Sequence, residues 1–95
     1  MWARVARFEG DPADVDDRIG RLRGVLAPEN RPSELVGAKV LMLVDRESGQ
    51  MLGVTLFDTE EAMRTADVAM NAGKGHAGSR AAVAFYEVPI HALEG

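Results

Sequence analysis

The 95-residue chain has no cysteine, which removes disulfides, thiolate nucleophiles and cysteine-based zinc or iron–sulfur centres together. A reducing interior suits such a chain, and we expect a cytoplasmic protein. It also lacks an apolar run long enough to cross a bilayer. Aromatics are scarce, with 1 tryptophan, 1 tyrosine and 3 phenylalanines, and no Lys/Arg cluster is flanked by them as a nucleic-acid platform requires. Basic charge is in deficit, since 11 Lys+Arg stand against 15 Asp+Glu for a net charge of -4, which would repel a phosphate backbone. Neither nucleic acid nor membrane is expected as a partner. The opening Met1-Trp2-Ala3-Arg4-Val5-Ala6-Arg7-Phe8 has no basic head before a long apolar stretch and no cleavage site, so it reads as structure and not as a signal peptide.

What is present is ordinary globular material. With 46% hydrophobic and 27% charged residues the chain is too apolar to be disordered, and its length bounds it at one domain, 1–95, with residues 89–95 as a tail. Residues 2 to 8 are rich in β-formers and stop at the turn Glu9-Gly10-Asp11-Pro12. Asp11 fits an N-cap with Pro12 at the first helical position, and Val15, Ile19, Leu22 and Leu26 recur at helical spacing to about Ala27. Asp14 with Arg18 and Asp17 with Arg21 stand four apart, acid first, and are expected to pair on the solvated face. Gly20 and Gly24, one turn apart, fit either close helix packing or volume left open for a ligand.

Residues 28 to 36 carry two prolines and read as a loop. The β-rich runs 38 to 44 and 51 to 57 are joined by Asp45-Arg46-Glu47-Ser48-Gly49-Gln50, with Gly49 suited to the left-handed turn position. Asp58 and Glu61 form a capping-box pattern ahead of Met63, Ala66 and Met70 at helical spacing, and a helix ending at Gly73 is expected. After a glycine-rich loop, residues 82 to 88 read as a strand stopped by Pro89. The order βαββαβ predicts an α+β, ferredoxin-like domain: a four-stranded antiparallel sheet with both helices on one face.

Such a sheet with one wet face should alternate apolar and polar residues. Here Val40, Met42 and Val44 oppose Leu41 and Leu43, and Leu52, Val54 and Leu56 oppose Met51 and Phe57, so both faces are apolar. Two helices cover one face only. The other requires a partner, and for a short chain the simplest is a second copy across a two-fold axis.

The segment from Gly37 to Gly49, continued by Val54-Thr55-Leu56-Phe57-Asp58-Thr59-Glu60-Glu61-Ala62-Met63, resembles the antibiotic-biosynthesis-monooxygenase-like domains of the dimeric α/β-barrel superfamily. That resemblance implies a homodimer whose open sheet faces form a barrel, with a small-molecule cavity between sheet and helices in each subunit. It implies several activities: cofactor-free monooxygenation of aromatics, haem degradation, isomerisation and none at all, so an enzyme and a non-catalytic binding module both stay open. The haem-degrading branch is the lowest-ranked alternative. It would call for an asparagine on strand one, a tryptophan on helix two and a histidine near that helix's end, where this chain has Arg7, no tryptophan and His76.

Within that frame the ligand-binding candidates are Trp2, Arg4, Met63, Met70, His76 and Tyr86. Arg4 shares a side of strand one with Trp2 and Phe8; its head either reaches water or a carboxylate, or holds an anionic or quinone-like ligand. Met63 and Met70 supply adaptable walls, Tyr86 a hydroxyl, and His76 a group that titrates near neutrality. His76 has no companion, so it reads equally as a solvated loop residue, and His91 lies in the tail. Gly73-Lys74-Gly75-His76-Ala77-Gly78 spells a dinucleotide fingerprint, but it closes a helix where the fingerprint must open one. No catalytic residue, metal site or cofactor is assigned.

Overall fold

In the computed structural model, which describes residues 1–27, 29, 33–35, 37–72 and 79–92, the opening segment forms strand β1 (Trp2–Glu9) and is hydrogen-bonded along both edges. Its partners are β3 (Met51–Phe57) and β4 (Ser79–Glu87), and β2 (Lys39–Val44) closes the sheet beyond β3. The order β2-β3-β1-β4, antiparallel at every step, is the ferredoxin-like arrangement. Each crossover helix skips over one strand and returns on the same side. The helices are α1 (Val15–Leu26) and α2 (Glu60–Ala72). Among the described residues no helix is long and apolar enough to cross a membrane.

Directly paired residues point to the same face, so the register sorts the side chains. Arg4, Thr55, Val40 and Phe85 stand in one row of the helix face, with Ala6, Gly53, Met42 and Val83 in the next. The other face carries the rows Lys39, Leu56, Ala3, Tyr86 and Leu41, Val54, Val5, Ala84. A bulge between Arg7 and Phe8 shifts the β1–β4 register near the start of β4, which begins three residues earlier than its apolar run implied. The core lies between sheet and α2, where Leu35, Phe57, Met63 and Ala66 are buried and Trp2, Leu26, Ala38, Met70 and Phe85 pack against them. Leu35 reaches it from a 3₁₀ turn, Ser33–Leu35, inside what reads as loop.

Local signals in the sequence act largely as expected. The Asp11 carboxylate accepts from the Ala13 N–H at 2.9 Å, although the first turn, Pro12–Asp14, is 3₁₀ before the α-helix begins. Gly49 adopts φ 81°, and the space where its Cβ would stand is filled by the Gly10 carbonyl and the backbone of Asp11 and Pro12, so no other residue fits. Helix α2 is capped one residue later than the capping-box spelling suggests: Thr59 Oγ1, not Asp58, accepts from the Ala62 N–H at 3.1 Å.

Arg18 departs most from expectation. It does not lie on the solvated face opposite Asp14; it is 2% exposed, and its Nη1 donates to the Gly49 carbonyl at 2.6 Å. Its position explains this, because it falls three residues after Val15 and four before Leu22, on the inward stripe of α1. Gly10 makes room for it, since a Cβ there would stand 2.6 Å from the guanidinium. Gly20 and Gly24 are neither packing contacts nor cavity walls; each faces outward, with nothing within 4 Å of the Cβ position.

Candidate functional site: a groove beside an edge strand

Four of the residues singled out from the sequence, Trp2, Arg4, Met63 and Met70, lie on the helix side of the sheet. Met63 is wholly buried, and Trp2 and Met70 pack against its cluster. Arg4 is 4% exposed and donates from Nε to the Asp67 carboxylate of α2 at 2.7 Å, so its head is bound by a carboxylate as the structural reading of the sequence anticipated. Tyr86 is not with them. It pairs with Ala3 in register, lies on the opposite face and is 55% exposed. His76 and the glycine-rich segment 73–78 lie outside the described residues, and His91 is exposed.

The described residues leave open space between α1 and β2. A half-open groove of about 480 Å³ is lined by Ile19, Leu22, Arg23, Leu26 and Ala27 from the helix side and by Met42 and Val44 from the strand. The helix is held at both ends but stands off the strand between them. Its first turns are pinned by Arg18 to Gly49, with an exposed Arg46–Asp16 pair at 3.0 Å beside them, and Leu26 packs on the core at its far end. The Met42 methyl rests over Gly53, 3.4 Å from where a Cβ would be, so the glycine gives this flexible side chain a flat floor. The volume lies within the ~300–1,000 Å³ of small-molecule sites, and the lining is apolar as such sites are. Arg23, exposed on the helix, is the one charged residue among the described lining.

At the Val44 end of the groove the hairpin turn is tightly organised. Asp45 is held below the usual carboxylate range by the Glu47 N–H, then by the Ser48 hydroxyl and N–H. The N–H of Glu47 donates to Asp45 Oδ1 at 3.0 Å, and the Gly49 N–H donates to the Asp45 carbonyl at 2.9 Å. No three histidine, aspartate or glutamate side chains converge among the described residues to hold a metal ion.

The second surface is the open face of the sheet. Leu41, Leu43 and Tyr86 are 45%, 50% and 55% exposed there, Leu52, Val54 and Val5 are half-buried, and the exposed cations Lys39 and Arg7 stand at opposite corners. An apolar centre with charge at its rim has the anatomy of a protein interface.

No family model matches the chain. It is similar to the uncharacterized proteins MT2635 and Rv2558 of Mycobacterium tuberculosis strains CDC 1551 / Oshkosh and ATCC 25618 / H37Rv, 37% identical to each over 65 residues. The aligned part is 67% of this chain but 27% of either relative, so the chain spans about a quarter of the length of the curated relatives it matches.

Proposed function

We propose that the chain is one subunit of a homodimeric α/β barrel that binds a small apolar molecule between α1 and β2. The observation that carries this reading is β2 itself. Its odd-numbered leucines, Leu41 and Leu43, lie on the uncovered sheet face, while Met42 and Val44 line the groove on the other side. An edge strand in solvent on one face would alternate apolar with polar, and this one is apolar on both.

The exposed apolar side chains support the partner: Leu41, Leu43 and Tyr86 are 45%, 50% and 55% exposed on one sheet face.

Binding, as opposed to turnover, is the role the groove's chemistry supports. A monooxygenase-like reaction on an electron-rich aromatic would use a protonatable group beside the substrate. The described lining offers aliphatic side chains, a thioether and a guanidinium. The test is a titration of the dimer, labelled with ¹³C at its methionine methyls, with octan-1-ol. Of the 5 methionines, Met42 should shift first and most. A protein whose Met42 signal stays fixed while octan-1-ol saturates would rule out the groove as a ligand site.

A further inference from the structure

We infer that the groove selects an amphipathic anion: a monocarboxylate whose hydrocarbon body lies between α1 and β2 and whose head is held by the Arg23 guanidinium. This rests on the groove being a ligand site and adds the class of ligand it takes.

Arg7, Arg21 and Arg23 have no carboxylate partner among the described residues, and of these three Arg23 lines the groove. Arg4 is bound to Asp67, Arg18 donates to the Gly49 carbonyl, Arg46 pairs with Asp16, and Arg64 lies near Glu60 and over the Phe85 ring. Arg23 is the charged residue of the described lining, and no carboxylate among the described residues meets it. In a chain with 15 acidic residues against 11 basic ones, a cation with no carboxylate partner among the described residues, at the edge of an apolar groove, is a recognition element for a ligand that brings the negative charge. The planar guanidinium fork matches a carboxylate with two parallel hydrogen bonds. A single cation matches a single negative charge. A phosphate monoester or a dicarboxylate would need more than one.

The lining fixes the rest of the ligand. Ile19 to Leu26 is eight residues of helix, ~12 Å long, so an extended body of about eight carbons fits along it. Ile19 and Ala27 lie one helical turn on either side of Arg23, on the same side of α1. Apolar wall therefore continues in both directions from the cation. A quaternary ammonium of the same length would meet the same wall and be repelled by the guanidinium. A neutral alcohol would gain the wall alone.

The experiment compares octanoate, octan-1-ol and octyltrimethylammonium by the Met42 methyl shift, on the intact protein and on Arg23→Gln, Arg23→Lys and Leu22→Gln. Octanoate is expected to bind more tightly than octan-1-ol, and Arg23→Gln to weaken octanoate by roughly three- to tenfold while leaving octan-1-ol unchanged, the range for a partly exposed, charge-assisted contact. Arg23→Lys, which keeps the charge and loses the fork, should fall between. Leu22→Gln should weaken both. If octan-1-ol shifts Met42 but octanoate binds no more tightly, or if Arg23→Gln leaves octanoate unaffected, the anion inference is overturned and the groove remains a ligand site. If neither probe shifts Met42, the ligand reading of the groove falls, and the anion with it.

Discussion

Replacing Leu41 by glutamate should convert the protein from dimer to monomer without unfolding it. Leu41 stands on β2 in the row with Val54, Val5 and Ala84, the most apolar part of the open sheet face, and is 45% exposed in the lone subunit. Burying a leucine side chain completely is worth ~1.5–3 kcal/mol, so covering the exposed part contributes about 1 kcal/mol per copy and about 2 kcal/mol per symmetric pair. Leu41→Ala should therefore raise the dimer dissociation constant roughly thirtyfold. Leu41→Glu goes further, because each subunit then takes a carboxylate out of water with no partner for it, at several kcal/mol per charge. In the monomer that carboxylate stays hydrated. Sedimentation velocity over a concentration series reads the outcome, and far-UV circular dichroism checks the fold. Val68→Glu supplies the control: Val68 is 71% exposed on the outer side of α2 and belongs to neither surface, so its variant should sediment like the parent. A parent protein that sediments as a 10.2 kDa species at micromolar concentration would refute the reasoning, as would a Leu41→Glu protein as dimeric as the parent.

Three further outcomes follow from the local geometry. Arg18→Met keeps the buried stem but removes the donor to the Gly49 carbonyl; a charge-assisted bond of this kind is worth ~1.5–3 kcal/mol, and a thermal melt should drop by about 10 °C. A variant melting with the parent would show that the contact does not hold the hairpin to α1. Gly20→Ala should raise the melting temperature, by about 0.5–1 kcal/mol of helix propensity, because the new methyl enters open space on α1; a fall would mean that the outer side of the helix is in contact with something. Asp45 has its carboxyl held low in the folded chain by the Glu47 N–H and by Ser48. Its contribution is therefore complete above the unfolded value near pH 4 and disappears as pH falls through the lowered folded value. The stability gap between the parent and Asp45→Ala should be constant near neutrality and close at acid pH; a gap that widens there contradicts the assignment.

The order of elements was legible because each boundary has a local chemical cause. Asp11 caps, Gly49 takes a backbone conformation that side chains avoid, and β2 and β3 show their period directly. The errors share a cause as well, since each depends on where one element sits against another. Arg18 looks like one half of an i,i+4 pair until the hairpin turn is placed beneath α1. Tyr86 reads as a donor for the helix side, yet a strand's faces alternate, and the observed register with Ala3 puts it on the other one. Thr59 and Asp58 are both good caps, and the choice between them rests on where the helix leaves β3. The groove was the hardest to see. Ile19, Leu22, Leu26, Met42 and Val44 each read as core, and only the stand-off of α1 from β2 leaves space between them.

That stand-off and the apolar open face are consequences of one design in β2. In a strand, neighbouring side chains diverge to opposite faces, so a partner on Leu41 and Leu43 and a ligand on Met42 and Val44 touch alternate residues and share no atom but the backbone. Two such occupants would not compete sterically. They would nevertheless be linked through that backbone, because β2 is an edge strand fastened on one side only, to β3. Anything that orders it from one face lowers the cost of ordering it from the other. By thermodynamic reciprocity, a ligand in the groove that tightens the dimer must itself bind more tightly to the dimer than to the monomer, by the same factor. The Leu41→Glu monomer therefore measures both: octan-1-ol should still reach Met42 in it, with an affinity that is lower or equal, never higher. A monomer that binds octan-1-ol more tightly than the dimer would mean that the partner subunit closes the groove, and would place the two surfaces in opposition.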